Sequence, residues 1–296
     1  MTSVGMIFRP ELPPERLRSA VRAAQNAGLR ELWMWEDCFL ESGIASAAAA
    51  LAWSDDLVVG IGLMPTPLRN VAVAAMEIAT LERMFPGRVR IALGHGIQEW
   101  MGQAGVRAAS PLTLMREYVT ALRALLSGQC VTVSGRYVSL TDVELGWVPE
   151  TAPRLLIGAT GPKTLQLAGE IGDGVLLDSL MSPEMVTHAL TEVDAGAPSG
   201  RRAPDFSTVV YLRAFTGDGA AAQLESAVAQ LESEAAPSAP GAPRGHGVVG
   251  DVAIVAEEVR RFAAAGAASV ILQPSAIEAD MDAYAAFAAR VAQEVR

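Results

Sequence analysis

The chain has 296 residues, 51% of them hydrophobic, with 33 acidic against 23 basic side chains and a net charge of −10. That balance argues against nucleic acid as a partner, because affinity for a phosphate backbone needs a concentrated basic face, whereas an anionic small molecule needs only a local pocket. No run approaches the roughly 18 uninterrupted apolar residues of a membrane span, and the start MTSVGMIFRPE lacks the basic-then-apolar pattern of a secretory leader, so a soluble cytoplasmic protein is expected.

Strand-like and helix-like segments alternate from end to end, the pattern of parallel β/α units. Residues 4–8 read as a first strand, followed by a helix over 13–27 with proline in its first turn and Leu17, Ala20, Val21 and Ala24 on one face. Residues 31–35 are a second strand and 44–53 a second helix. Residues 57–64 form an all-apolar third strand, and Asn70 is placed to cap a helix reaching Phe85, with Val71, Ala74, Ala75, Ile78 and Leu81 as its buried stripe. Residues 88–94 are the fourth strand. An insertion over 95–110 precedes a helix at 111–126, and 129–140 alternates around Ser134-Gly135 as a small hairpin does.

Strands at 155–158 and 174–177 flank a helix that begins near Pro162 or Lys163, and a helix at 183–194 follows. A seventh strand at 205–215 leads to a helix at 220–236. Residues 237–247, PSAPGAPRGHG, have the proline and glycine content of a mobile loop. A helix at 251–265, a strand at 269–273 and a helix at 280–295 complete the chain. Eight strands with their helices predict a single α/β domain over 1–296, a (β/α)8 TIM barrel with insertions near 95–110 and 128–150. A barrel of this kind carries its chemistry at the C-terminal strand ends.

Those ends hold the candidate residues. Strand one ends at Arg9, strand two at Glu36 and Asp37, strand three at Gly62, Leu63 and Met64, strand four at Gly94-His95-Gly96. Glu36 and Asp37 read as cofactor contact or proton transfer, with helix capping or a salt bridge to Arg9 as the structural alternative. His95 lies between two glycines that let a ligand approach, and reads as a proton donor or ring contact, or as an ordinary structural histidine. Glu99 and Trp100 either line a pocket from the inserted segment or merely cover the barrel mouth. Strand five runs into Gly158, Ala159, Thr160, Gly161 and Lys163, where the first turn of a helix points free N–H groups and the positive end of its dipole into a glycine loop. That is a phosphate site or, on the plainer reading, a strand-to-helix turn.

Other chemistries lack support. His95, His188 and His246 are too scattered for a metal cluster, and Cys38 and Cys130 have no metal or CxxC spacing and read as reduced thiols. There is no GxSxG elbow and no three-glycine dinucleotide fingerprint.

Taken in order over nearly the whole chain, the blocks LWMWEDCF, VVGIGLMPTPLRNVAVAAMEIATLERMFPGRVRIALGHG, LTLMREYVTALRALLSG, GRYVSL and GATGPKTLQLAGEIGDGV resemble the bacterial luciferase-like flavin- and deazaflavin-dependent oxidoreductases. The blocks look closest to the group using coenzyme F420, which includes methylene-tetrahydromethanopterin reductase and sugar-phosphate dehydrogenase; FMN is the alternative cofactor. The resemblance implies a (β/α)8 barrel and a ring system lying across the strand ends. A bulge at Gly62, Leu63 and Met64, often with a non-prolyl cis peptide, would back that ring. It also implies a phosphate on the loop from Gly158 to Lys163. Hydride would pass between the deazaflavin and an activated C=C or C=N of a small organic substrate, with His95, Asp37 or Glu99 handling the proton and Arg9 and Trp100 shaping the pocket.

Three departures matter: Asp37 stands where histidine is usual, Ile97 where an acid is common, and His95 where a small hydroxyl residue is frequent. They argue against the sugar-phosphate reaction. The competing functions are an FMN-dependent monooxygenase supplied by a separate reductase, and a flavin-binding barrel without catalysis. Family members are often homodimers, and the apolar helices at 44–53 and 70–85 are candidates for such a contact.

Overall fold

The computed structural model describes residues 2–179, 181–234, 246–275 and 280–296. In chain order its strands are β1 (Ser3–Ile7), β2 (Glu31–Met34), β3 (Val58–Pro65), β4 (Val89–Gly94), β5 (Val131–Ser134), β6 (Ser139–Val143), β7 (Leu155–Gly158), β8 (Gly174–Leu177), β9 (Ser207–Phe215), β10 (Val248–Val249) and β11 (Ser269–Gln273). Eight of them close a parallel ring in the order β1, β2, β3, β4, β7, β8, β9, β11 and back to β1. The (β/α)8 TIM barrel is therefore the fold. The helices are α1 (Leu17–Asn26), α2 (Gly43–Ala52), α3 (Val71–Met84), α4 (Gln98–Gln103), α5 (Pro111–Leu126), α6 (Pro162–Ile171), α7 (Pro183–Gly196), α8 (Ala220–Glu234), α9 (Val252–Ala264) and α10 (Met281–Val295).

Barrel strands are buried on both faces, which is why they read as nearly continuous apolar runs. Their alternation separates two cores. Inside the ring, Ile7, Trp33, Ala92, Leu156, Leu176, Val209, Tyr211 and Ile271 form one cluster, while the larger cluster fills the shell between strands and helices. The interior face of β3 carries no side chain at Gly60 or Gly62. A Cβ on Gly60 would collide with the Trp33 ring, and one on Gly62 with the Tyr211 hydroxyl. These glycines are thus spaces for large neighbours.

Helix starts follow local chemistry. The Asn70 side chain accepts the Ala72 N–H at 2.9 Å, as its position before an apolar stripe predicts, and Asp251 and Asp280 accept from Ile254 and Ala283 at 3.1 and 2.8 Å. Some boundaries differ from expectation. The first helix opens with a 3-10 turn at Pro14–Arg16, so α1 proper starts at Leu17. The 95–110 segment contains α4, and the second hairpin strand continues to Val143. The two-residue β10 runs parallel to the end of β9, and two residues are too few to show a period. Of the expected loop at 237–247, residues 237–245 lie outside the described residues. Among the described residues, no helix is long and apolar enough to cross a membrane.

Candidate active site

The floor of the barrel mouth is built around the end of β3. The β3–β4 register shifts between Gly62 and Met64, and the Gly62–Leu63 peptide is cis, at one of the positions the resemblance implied; Cys38–Phe39 is cis as well. Leu63 packs against the inner cluster and occupies the space that a Cβ on Gly94 or on Gly158 would need. The Leu63 carbonyl accepts the Glu36 N–H at 3.2 Å, and the Gly62 carbonyl accepts the Tyr211 hydroxyl at 2.7 Å. Tyr211 stays protonated because burial, with the Glu31 charge adding, pushes its pKa well above the usual value. Its ring meets Trp33 edge-on at 6.0 Å and Trp35 at a tilt at 6.0 Å, which fixes the hydroxyl in place.

Two cavities open above this floor. The smaller, about 310 Å³, has Leu63, Pro65, His95, Gly158, Thr160 and Thr164 in its wall. The larger, about 760 Å³, has Arg9, Trp35, Arg213, Phe215 and Gln273 in its wall. They adjoin along Asp37, Gly62, Leu63, Trp100, Asp178 and Tyr211. Both volumes fall in the range of about 300–1,000 Å³ usual for cofactor and substrate sites.

At the rim of the smaller chamber, the Ala159 N–H is spent on the Leu176 carbonyl at 3.1 Å, and Thr164 and Leu165 donate back to Gly161. Pro162 has no N–H. Among the described residues, the Thr160, Gly161 and Lys163 amides have no protein partner, at the start of the ten-residue α6. Three unengaged amides on a helix start are a donor set that suits a phosphate. Nothing lies within 4 Å of where a Cβ on Gly161 would stand, so no side chain plugs the segment.

The charges around the mouth are mostly matched. Arg69 clamps Glu36 in a fork at 2.5 and 2.8 Å and reaches Glu77 at 3.1 Å, while the same Glu36 carboxylate accepts the Gly43 N–H at the start of α2 at 2.8 Å. Arg9 pairs with Glu11, donates to the Pro274 carbonyl at 3.3 Å and lies over the Trp35 ring. Asp37 accepts the Trp35 indole N–H at 2.8 Å. Burial pushes its carboxyl above the ordinary aspartate value, with the Glu11 charge adding and the Trp35 bond and Arg9 charge opposing. His95 shares a 3.3 Å contact between Nε2 and the Thr164 hydroxyl, its Nδ1 is buried without a partner, and burial lowers its pKa. It is therefore a neutral imidazole near pH 7. Arg213, 6% exposed, has an Nη1 with no hydrogen-bond partner. Burial, and then the Arg9 charge, lower its pKa to about 10 against the opposing pull of Asp178, so it remains a cation.

The structure brings Asp37, Gly62, Leu63, His95, Gly158, Ala159, Thr160 and Trp100 to the cavity walls, with Arg9 in the larger one. Five of the expected residues are placed differently from the expectation. Met64 is fully buried in the outer shell, because the register shift turns Leu63 inward in its place. Glu99 is exposed on α4 and lines neither cavity, and Lys163 is likewise exposed, leaving its backbone amide as its contribution. Glu36 borders both cavities, but its carboxylate is committed to Arg69 and Gly43 rather than to a ligand, and the partner is not Arg9. Gly158 accommodates Leu63, so its bare Cα is already spoken for.

Sequence reasoning missed Tyr211, Arg213, Gln273, Thr164 and Arg69. A signal existed for two of them: Tyr211 and Arg213 stand two apart in the mostly apolar β9, and that spacing puts both on one face. Among the described residues, no group of three or more His, Cys, Asp or Glu could hold a metal ion.

A closed parallel barrel with two adjoining chambers at the C-terminal ends of its strands defines an α/β barrel with its candidate site where such barrels carry their chemistry. Residues 3–269 match the luciferase-like monooxygenase family, and the chain belongs to it. The chain is 30% identical over 224 residues to 5,10-methylenetetrahydromethanopterin reductase of Methanolobus tindarius, covering 75% of this chain and 68% of that one. It is 28% identical over 187 residues to F420-dependent glucose-6-phosphate dehydrogenase of Microbacterium testaceum, covering 61% of this chain and 56% of that one. In fold it is similar to an F420-dependent secondary alcohol dehydrogenase solved with an F420-acetone adduct, at TM-score 0.87 and 21% identity over 100% of this chain and 99% of that one. It is also similar to the monooxygenase RslO1 from Streptomyces bottropensis, at TM-score 0.78 and 17% identity over 99% and 98% of the two chains.

Proposed function

We propose that the chain is a cytoplasmic oxidoreductase that uses coenzyme F420 for hydride transfer to or from an activated C=C or C=N of a small organic substrate. The observation that carries this reading is the pair of adjoining chambers, one of them with three unengaged amides at its rim. The similarity to an F420-dependent glucose-6-phosphate dehydrogenase supports F420 over FMN. The bound coenzyme supplies a hydride donor or acceptor of suitable potential. The residues do the rest. The amides of Thr160, Gly161 and Lys163 would hold the phosphate, Leu63 and the Tyr211-braced Gly62 would support the ring, and neutral His95 would contact it. Trp35 and Trp100 keep water from the junction of the chambers. Asp37, which borders both chambers with its carboxyl biased toward the protonated form, holds the proton for the substrate atom next to the one receiving hydride.

Equilibrium titration with F420 and with FMN, each oxidised and reduced, tests the reading. Micromolar binding of F420 with much weaker FMN, followed by turnover of enones or imines, is expected. Selective FMN binding transfers the chain to the monooxygenase class, and tight F420 binding without turnover over a broad panel marks a non-catalytic barrel. We further propose a homodimer, since Val73, Met76 and Met84 expose apolar side chains on α3; sedimentation equilibrium showing a monomer at micromolar concentration overturns it.

A further inference from the structure

We infer that the substrate carries a carboxylate, and that Arg213 and Gln273 in the larger chamber recognise it. The inference rests on reading the smaller chamber as the coenzyme's.

Arg213 sits on β9 two residues beyond Tyr211 and shares its inward face. A guanidinium in a barrel interior needs partners, and even part-buried arginines of this chain have them. Arg88 donates to the Leu57 and Ser54 carbonyls at 2.9 and 3.0 Å, and Arg69 forks onto Glu36. Arg9 has Glu11. Arg213 lines the larger cavity, its Nη1 has no partner, and among the described residues it joins no ion pair. A buried cation with Asp178 acting on it only through its charge and no carboxylate bonded to it is unfavourable, and a ligand oxyanion bound at Nη1 relieves it. Gln273 stands directly beside it in register on β11, is 4% exposed, and lines the same cavity. Its amide adds a neutral donor next to the fork.

The charge count selects the anion. Arg213 has no bonded carboxylate among the described residues, while Glu11 and Asp178 border the same chamber, so a second negative charge on the ligand would face carboxylates. The guanidinium fork itself suits a carboxylate or a phosphate, so it is the surrounding carboxylates that favour the monoanion over the dianion. Neither Arg213 nor Gln273 lines the smaller cavity, which separates this subsite from the coenzyme phosphate at Thr160, Gly161 and Lys163.

Fluorescence of the cavity tryptophans reports binding directly. Native protein, with and without F420, is titrated with benzoate, cinnamate and phenylpyruvate, each against its primary amide, and with phenyl phosphate. At least one acid is expected to bind about tenfold or more tighter than its amide, and tighter than phenyl phosphate. Arg213→Met abolishes the preference and Arg213→Lys keeps part of it, while F420 affinity is unchanged in both. No preference for acid over amide in the native protein, including the case in which no probe binds, overturns the proposal without needing a variant. Tighter binding of phenyl phosphate than of every acid also overturns it. If F420 binds and the acids show no preference, the carboxylate subsite falls and the oxidoreductase reading stands. If the acids are preferred and F420 does not bind, the reverse holds.

Discussion

Removing Arg69 tests the claim that Glu36 is part of the mouth's framework. Arg69→Met takes away the fork at 2.5 and 2.8 Å from a carboxylate that is 9% exposed, and the contact with Glu77. Only the Gly43 N–H then remains on Glu36. Breaking one side of a buried pair costs about 3–5 kcal/mol, and solvent access to Glu77 favours the lower end. With an unfolding entropy of about 2.1 cal/mol/K per residue, the chain loses about 0.6 kcal/mol per kelvin near its midpoint, so Tm should fall by about 5–8 K. Calorimetry on native protein and variant at one scan rate measures this. Acidification provides an internal control. Burial already holds Glu77 above its usual range against the Arg69 charge, and without that charge it rises further. Protonation at lower pH then relieves the variant, and the gap in Tm narrows as pH falls. A fall under about 2 K, or a gap that widens on acidification, would refute the framework role.

In the reduction direction, Asp37 must be protonated to give up its proton, so kcat is expected to be highest on the acid side and to decline as pH rises through its elevated pKa. Asp37→Asn should lose about 10²–10⁴-fold in kcat and lack that limb in a pH profile; a retained limb assigns the proton elsewhere. His95→Ala should reduce kcat by less than about tenfold and weaken coenzyme binding instead, because a neutral ring contact is not a proton carrier. Gly158→Ala should destabilise by about 1–3 kcal/mol by colliding with Leu63, whereas Gly161→Ala, at φ −89° and in open space, should leave Tm within experimental scatter. Equal Tm values for the two glycine variants would sink the packing argument. Tyr211→Phe removes the hydrogen bond to a buried carbonyl and should cost about 1–3 kcal/mol by denaturant titration, with the two cavities otherwise intact.

The barrel was legible because each β/α unit announces itself locally: an apolar run, a cap such as Asn70 or a proline at a helix start, and a stripe at helical spacing. The unengaged amides of Thr160, Gly161 and Lys163 were legible for the same reason, since they belong to one short segment. Tyr211 and Gly62 are 149 residues apart, and nothing local in either tells of the other. Glu36 was visible as an acid at a strand end, but its partner is reached only by the long arm of Arg69, 33 residues away. Gly158 shows a subtler limit. A missing side chain is equally a space for a ligand or for a neighbour, and Leu63 claims this one only once the β3 register has shifted.

The shared wall between the chambers has an evolutionary consequence. Exchanges at Trp100 or Ile97 reshape both compartments at once, and on the proposed assignment of the chambers they would couple substrate range to coenzyme fit. Of the two compartments, Phe215, Gln273 and Ser275 line only the larger, so on that assignment a lineage drifting toward new substrates would have positions to vary while the coenzyme's seat is left alone.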